Sequence, residues 1–427
     1  MILEFSVENF RSIKSRQVLS LVAESSKAKG ENVFLVPLPN DNSLRLLKTA
    51  LIYGANGSGK SNLIRALETF MSLVRSRNAG AGRPIRGYDP FIFSQSTQDQ
   101  PTIFELVFIF ENIKYGYSIA FNRTQITHEE LTHWPKGQSH LILERIIEPN
   151  EPLHKIKLGK NFGNKEIEIF SNQLGLNKFG TDTPHKALTK LYLFLRSIEI
   201  GNTARNANSP MQMRRTLQRF IQPEKGGIVD QLGNLLKVAD TKIESIRIEP
   251  KEITIDLEDN LGEPFQELRT INELYAFHKT FEDGKETGYA KLEINEESEG
   301  TKMLFWRGRL ILEKLQQGGV LIFDELDNSL HPKLVRLLVL LFTNPRSNPK
   351  NAQLIFATHE VTLLDRDLFR TDQIWFTEKN QFGETQLFSA QDFDGVREDV
   401  PFDKWYMAGK FGGLPKFEDI ETIFNHA

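Results

Sequence analysis

The chain has 427 residues, of which 39% are hydrophobic and 26% are charged, a composition typical of globular proteins with two or three domains. Its formal net charge of −3 excludes the strong overall positive field of a protein that coats DNA, so DNA contact would need a local basic patch. The absence of cysteine excludes disulfide frameworks, thiolate zinc sites and cysteine nucleophiles.

No apolar run reaches the roughly 18 residues of a membrane span. The opening Met-Ile-Leu-Glu-Phe-Ser-Val-Glu has no basic segment followed by an apolar stretch, which is the pattern of a secretory signal. We therefore expect a cytoplasmic protein without membrane contact.

Residues 54–61 read Gly-Ala-Asn-Gly-Ser-Gly-Lys-Ser, the GxxxxGKS pattern of a phosphate loop. Apolar residues predict a buried strand over 49–53 and a helix over 62–73. In such a unit glycine amides and the helix N-terminus cradle phosphates, Lys60 reaches the β- and γ-phosphates, and Ser61 ligates Mg²⁺. The alternatives are a chance match or a cradle that binds ATP or GTP without hydrolysing it. The predicted nucleotide contacts here are Gly54, Asn56, Gly57, Ser58, Gly59, Lys60, Ser61 and Asn62.

After the first helix, three strands of an antiparallel layer are predicted over Ile103–Phe110, Lys114–Phe121 and Gln125–Trp134. The loop before that layer either contacts nucleic acid or nucleotide, or is a solvent-exposed loop that contacts neither. It contains Arg75, Arg77, Arg83 and Arg86.

The middle of the chain alternates between short polar strands over 141–170 and predicted helices. We interpret it as an inserted, mainly helical subdomain. The predicted helices are Pro184–Ile198, Pro210–Gln222 and Gly227–Asp240. The second of these helices carries Arg214, Arg215 and Arg219, which suit either a contact with a partner or a solvent-exposed face.

Predicted strands return at Ile243–Glu249, Glu252–Leu257 and Tyr289–Ile294. Residues 241–300 contain 16 acidic and 7 basic residues, which does not suit a contact with a phosphate backbone. A final hairpin is predicted from Gln373–Thr377 and Thr385–Ser389.

Glu297-Ser-Glu-Gly-Thr-Lys302 precedes an apolar spacing that predicts a helix. A serine and a glycine at a helix N-terminus either cap the helix or bind a phosphate. Ser298, Gly300 and Lys302 are therefore candidate phosphate-binding residues.

Gly319–Glu325 is an apolar run ending in two acids, which predicts a Walker B strand. Because parallel strands end at the same sheet edge, Asp324 would hold Mg²⁺ and Glu325 would polarise the attacking water. A second buried strand ends before His359. Taken singly, Asp324, Glu325 and His359 are ordinary polar residues at strand ends. Together with the phosphate loop they form an ordered set.

These motifs resemble, in their order, the ABC-type ATPases of the SMC, RecF and OLD branch. Asn9-Phe-Arg11-Ser resembles the opening turn of that branch, whose arginine approaches the nucleotide, and Asp324–Pro332 resembles its joined Walker B and D-loop. Within the branch the chain most resembles bacterial AAA-type ATP-binding proteins of abortive-infection systems, of the RloA and AbiL type. That likeness is carried by Phe5–Ser12, Ile52–Asn56, Glu130-Leu131 and Trp405–Pro415.

The resemblance implies two heads that close around two nucleotides. Ser298 and Gly300 would act on the nucleotide of the opposite subunit, whereas His359 would sense the γ-phosphate in its own subunit. Glu297 stands where ABC transporters usually have leucine, which argues against a transporter. Asn9 and Arg11 become candidate nucleotide contacts, and Lys60, Glu325 and His359 candidate catalytic residues.

The predicted fold class is α/β: an ABC-type P-loop NTPase head with an antiparallel β layer and an inserted mainly helical subdomain. The predicted parts are 1–135, 136–240 and 241–427. The predicted function is a Mg²⁺-dependent ATPase, dimeric or larger, that controls a separate effector in antiphage defence. No acidic cluster typical of a Toprim domain follows His359, so a Toprim or RloB-like nuclease would be another polypeptide. The alternatives are a RecF-like repair ATPase that clamps DNA and a nucleotide-dependent scaffold that scarcely hydrolyses ATP.

Overall fold

The computed structural model describes residues 1–39, 43–76, 82–148, 153–201, 226–239, 241–258, 264–397 and 400–414. The helix predicted over Pro210–Gln222, with its three arginines, lies outside these residues, as does Arg77. The chain divides into two compact units. The first unit comprises Met1–Ile200, Gly318–Leu326 and Val339–Ala427, and the second comprises Gly201–Gln317 and Asp327–Leu338.

The strands of the described residues are β1 (Ile2–Glu8), β2 (Gln17–Ser20), β3 (Val33–Pro37), β4 (Ser43–Leu47), β5 (Thr49–Tyr53), β6 (Thr102–Phe110), β7 (Ile113–Phe121), β8 (Ile126–Trp134), β9 (His140–Ile146), β10 (Leu153–Leu158), β11 (Glu166–Phe170), β12 (Glu199–Gly201), β13 (Ile243–Glu258), β14 (Pro264–Glu282), β15 (Lys285–Glu293), β16 (Val320–Phe323), β17 (Gln353–Ala357), β18 (Ile374–Lys379) and β19 (Thr385–Ser389).

The α-helices of the same residues are α1 (Lys60–Arg75), α2 (Gly175–Thr181), α3 (Lys186–Ser197), α4 (Gly226–Val238), α5 (Glu299–Gln317), α6 (Pro332–Thr343) and α7 (Phe402–Met407). Among them, no helix combines the length and apolar content needed to cross a membrane.

A six-stranded sheet has the order β12-β16-β17-β5-β18-β19. Its four central strands are parallel, and β19 pairs antiparallel with β18 as the predicted hairpin requires. Every residue of β5, β16 and β17 is buried, which explains why these strands read as unbroken apolar runs. The carboxyl ends of these three strands lie at one sheet edge, so the residues after them are brought together.

An eight-stranded antiparallel sheet has the order β11-β10-β9-β8-β7-β6-β1-β2. It contains the three predicted strands of the β layer at its centre. The strands of residues 140–170 extend this same sheet, since β9 pairs with β8. A core cluster joins both sheets to α1, and Phe70 of that helix contacts Phe5 and Phe104 with ring centroids 6.1 and 6.3 Å away.

The second unit contains a three-stranded antiparallel sheet of β13, β14 and β15. The prediction of two separate strands before residue 258 was wrong, because β13 runs unbroken through Pro250. This proline lies in a strand at the sheet edge, where a missing N–H donor is tolerated. Strand β14 had no sequence prediction; β13 pairs with it from Ile243 to Glu258 and so supplies its hydrogen bonds.

Helices α4 and α5 pack closely in the second unit. A Cβ atom on Gly308 of α5 would lie only 2.6 Å from a methyl carbon of Leu235 in α4. The mixed α/β class with an antiparallel layer is confirmed, and the predicted parts 1–135, 136–240 and 241–427 stay predictions.

Candidate functional site

The phosphate loop follows β5 and leads directly into α1. Gly54, Gly57 and Gly59 have positive φ angles of 155°, 79° and 118°. A Cβ atom would lie 2.5 Å from the Thr377 carbonyl oxygen at Gly54, and 2.2 Å from Thr385 Oγ1 at Gly59. Close approach as well as backbone conformation therefore requires glycine at these two positions.

Lys60 begins α1 and is 7% exposed. Its Nζ donates hydrogen bonds to the carbonyl oxygens of Gly54 at 2.6 Å and Ala55 at 3.1 Å. The ammonium group thus lies against the loop that would hold the phosphates, and its contact with the β- and γ-phosphates stays a prediction. At the tip of the loop, Asn56 and Gly57 are exposed.

Ser61 and Asp324, the two predicted metal ligands, lie next to each other. Ser61 Oγ donates a hydrogen bond to Asp324 Oδ1 at 3.2 Å. Burial raises the pKa of the Asp324 carboxyl, so a cation would stabilise its charged form. A hydroxyl and a carboxylate oxygen are ligands that Mg²⁺ accepts, and no group of three or more acidic or histidine side chains forms a metal cage in the described residues. This pair fits an ion that takes its remaining ligands from phosphate and water.

Glu325 follows Asp324 in a left-handed backbone conformation, with φ of 52°. For a residue with a side chain this conformation is strained, and such strain is found most often at functional sites. The next residue is fixed to the sheet, since Leu326 N–H donates to the Ala357 carbonyl at 3.2 Å. The chain therefore holds Glu325 at the sheet edge beside the predicted metal ligand.

His359 lies two residues after β17 at the same edge. Its carbonyl oxygen accepts a hydrogen bond from Tyr53 Oη at 2.7 Å, and Thr358 N–H donates to the Ile52 carbonyl at 3.1 Å. The sequence placed Tyr53 in the Ile52–Asn56 likeness but gave it no role, because a tyrosine that ends an apolar strand is typical of a core residue.

A hydroxyl and amide network surrounds the base of the phosphate loop. Asn62 Nδ2 donates to Ser12 Oγ at 2.6 Å, and Ser12 Oγ lies 2.8 Å from Thr385 Oγ1. Thr385 Oγ1 in turn donates to the Ser58 carbonyl at 2.9 Å, and Ser58 Oγ lies 2.6 Å from Thr377 Oγ1. The predicted nucleotide contacts Ser58 and Asn62 therefore also brace the loop, and the two threonines had no sequence signal.

Asn9 and Arg11, both with positive φ angles, form the N-terminal turn. Asn9 Nδ2 donates to the carbonyls of Thr97 and Gln100, both at 2.9 Å, and its Oδ1 accepts from the Phe91 N–H at 3.0 Å. Arg11 Nε lies 3.0 Å from Asp89 Oδ2. These contacts order the loop around residues 89–101, and the predicted nucleotide contacts of both residues stay predictions.

The turn with Ser298, Gly300 and Lys302 lies in the second unit, where it starts α5. Ser298 Oγ accepts a hydrogen bond from the Thr301 N–H at 3.2 Å, so the helix-capping interpretation holds. Lys302 Nζ lies 2.5 Å from Glu299 Oε1. The exposure of Ser298 leaves this end of the helix accessible to a second molecule.

Two contacts shape this turn. A Cβ atom on Gly300 would lie 3.1 Å from the Ser329 carbonyl oxygen, which favours glycine there. Before the turn, Glu297 Oε1 lies 2.6 Å from His278 Nε2 of β14. The strand that sequence analysis missed therefore positions the first residue of the predicted signature.

The chain is similar to one protein family and to several solved structures. No curated protein sequence matched. An SMC head domain from Thermotoga maritima is 12% identical, with coverage of 91% of this chain and 98% of that one and a TM-score of 0.39. An SMC head derived from Pyrococcus furiosus, bound to the C-terminal domain of ScpA, is 14% identical, with coverage of 91% and 96% and a TM-score of 0.40. A dimeric ATP-binding cassette bound to ADP and phosphate is 10% identical, with coverage of 90% and 98% and a TM-score of 0.32.

A family model matches residues 50–365, from β5 and the phosphate loop to just beyond His359. By this match, the chain belongs to the AAA_21 family, described as "AAA domain, putative AbiEii toxin, Type IV TA system".

Proposed function

We propose that this protein is a Mg²⁺-dependent ATPase. The observation that carries the proposal is the meeting of three motif residues at one sheet edge of the first unit. Lys60 Nζ lies on the phosphate loop carbonyls, and Ser61 Oγ is 3.2 Å from the Asp324 carboxylate. A glycine cradle with an ammonium group, a hydroxyl and a carboxylate is what binding of a nucleoside triphosphate requires.

Each residue has a separate task in this proposal. Loop amides and Lys60 bind the β- and γ-phosphates. Ser61 and Asp324 would hold Mg²⁺, which neutralises charge on the phosphates when bound. Glu325 accepts a proton from the attacking water. Tyr53 binds the backbone carbonyl of His359, and His359 contacts the γ-phosphate side of the site.

Turnover in this proposal requires a second copy of the chain. The exposed Ser298 turn presents a hydroxyl, a glycine amide and a helix N-terminus, which together suit a phosphate. Ser298 and Gly300 of one subunit would complete the nucleotide site of its partner. Nucleotide binding would then close the dimer, and hydrolysis would open it.

The biological role proposed is control of a separate effector protein in antiphage defence, with a Toprim or RloB-like nuclease as the expected class. The support for it is the family description, which names a putative toxin of a type IV toxin–antitoxin system. In this role the nucleotide state sets whether the dimer holds or releases the effector.

Co-purification tests this proposal. The chain is expressed with its neighbouring reading frame, and the complex is isolated with ATP and Mg²⁺, with ADP, and without nucleotide. We expect the amount of the neighbouring reading frame's protein that co-purifies with the chain to depend on the nucleotide. Hydrolysis that DNA stimulates strongly, with no capture of the neighbour, would instead favour the DNA-clamping ATPase. Absence of ATP binding in the wild-type chain would contradict the proposal as a whole.

A further inference from the structure

The C-terminal segment around α7, residues 402–414, folds back onto the phosphate loop. Ala55 N–H, in the second position of the loop, donates a hydrogen bond to the Gly413 carbonyl at 3.0 Å. Tyr406 Oη donates to the same oxygen at 2.9 Å. One carbonyl of this segment therefore binds both the loop backbone and a tyrosine of its own helix, and it fixes the loop where the phosphates would bind.

Two glycines shape the segment for this contact. Gly412 and Gly413 both have φ of 65°, in the left-handed region that favours glycine. A Cβ atom on Gly412 would lie 2.8 Å from Glu378 Oε2, and one on Gly413 would lie 3.4 Å from the Thr377 carbonyl oxygen. The left-handed backbone at both positions, together with the close approach of Gly412 to Glu378, therefore favours glycine in this segment.

Aromatic packing anchors the segment to the central sheet. The Tyr406 ring, 3% exposed, stacks on Phe376 of β18 with centroids 5.9 Å apart. Phe411 stacks on the same Phe376 ring at 4.9 Å. Because both rings pack on β18, whose hairpin also supports the loop through Thr377 and Thr385, this segment forms part of the wall behind the phosphate loop.

The same tyrosine also contacts the strand that precedes the loop. Tyr406 packs edge-on against Tyr53 with ring centroids 4.7 Å apart. Tyr53 Oη donates to the His359 carbonyl at 2.7 Å. Two adjacent tyrosines thus connect the C-terminal segment with the phosphate loop on one side and with the backbone of His359 on the other.

We propose that Tyr406 and Tyr53 are positioning residues of the nucleotide site, Tyr406 acting through Gly413 on the phosphate loop and Tyr53 acting on His359. This inference rests on the proposed ATPase function. Tyr406 sets the conformation in which the loop amides meet the phosphates, so its hydroxyl contributes to nucleotide affinity. Tyr53 sets the backbone of a residue expected at the γ-phosphate, so its hydroxyl contributes to the rate of hydrolysis.

Tyrosine-to-phenylalanine variants test this, because they remove a hydroxyl and keep the ring packing. Loss of one hydrogen bond corresponds to about a 3- to 10-fold effect. Tyr406→Phe is expected to weaken binding of a fluorescent ATP analogue about 3- to 10-fold, and to speed hydrogen exchange of the segment 54–59 in the nucleotide-free protein. Tyr53→Phe is expected to lower kcat about 3- to 10-fold while the Kd stays within about twofold of wild type.

Tyr289→Phe is the matched control, since this tyrosine is 60% exposed and lies in β15 of the second unit. Thermal unfolding of each variant checks that the fold is retained. Variants at 406 and 53 that behave like Tyr289→Phe in affinity, exchange and kcat would overturn the positioning roles while leaving the ATPase function intact. A wild-type chain that fails to bind ATP would overturn the ATPase function. In that case the hydrogen exchange of residues 54–59, compared between Tyr406→Phe and wild type, would still decide whether Tyr406 positions the loop.

Discussion

The base of the phosphate loop is buried in its own unit, whereas the Ser298 turn lies at the surface of the second unit. Lys60 is 7% and Ser58 5% exposed, and threonines of β18 and β19 contact the loop from behind. Ser298 is exposed, and its hydroxyl caps its own helix. An enclosed loop can bind a ligand alone, but an exposed turn acquires a catalytic role only when another molecule is brought to it. The comparison predicts different consequences for mutations in the two regions.

The largest effect is expected for Glu325→Gln. Gln keeps the shape of the side chain but removes the base, so hydrolysis should fall about 10²- to 10⁴-fold while ATP still binds. Single-turnover hydrolysis and nucleotide retention on a desalting column measure the two effects. A variant with wild-type turnover would place the base on another residue.

Ser298→Arg should separate binding from turnover. We expect the ATP affinity to stay within about twofold of wild type, because the phosphate loop lies in the other unit. The hydrolysis rate should fall by about 10²- to 10³-fold, because a bulky cation prevents completion of the partner's site. The variant also loses a helix cap worth about 1 kcal/mol, so its thermal unfolding is measured in parallel. Weakened binding by a well-folded Ser298→Arg would show that the two regions are not independent.

Lys60→Ala should reduce ATP affinity by about 100-fold, because no other group replaces the ammonium charge at the β- and γ-phosphates. Lys186→Ala is the matched control, since Lys186 is exposed at the start of α3. Titration with a fluorescent ATP analogue compares the two variants. Equal affinity in both would refute the site assignment.

A smaller effect is expected for Thr385→Val, which removes a hydroxyl bonded to Ser12 and to the Ser58 carbonyl. The shape is retained, so we expect about a 3- to 10-fold loss of nucleotide affinity through a looser loop. Thr280→Val in β14 is the control, because its hydroxyl lies 3.1 Å from that of exposed Thr287 in the second unit. Unchanged affinity in Thr385→Val would mean that the enclosure of the loop does not contribute to binding.

The sequence singled out the residues that are proposed to carry out the chemistry, but not the side chains that brace them. The phosphate loop, Asp324, Glu325 and His359 could be proposed because their spacing is local and the strands before them are buried on both faces. Tyr53, Tyr406 and the two hairpin threonines lay in segments that the sequence singled out, but their roles could not be predicted because they arise from contacts between distant parts of the chain.

The departures from the predicted elements have a related cause. Strand β14 has no strict apolar alternation, and its pairing with β13 supplies the hydrogen bonds that stabilise it. The strands of residues 140–170 were recognised, but local pattern cannot tell which sheet a strand joins, and they extend the β layer.

The central claim, that two copies of the chain build each hydrolytic site, is tested most directly by mixing Lys60→Ala with Ser298→Arg. Each variant alone lacks one half of every site and should be inactive. Random pairing makes half of the dimers mixed, each with one of its two sites intact, so the mixture should regain up to about a quarter of the wild-type ATPase rate. A mixture that stays as inactive as its components, with both proteins folded and exchanging subunits, would contradict the account.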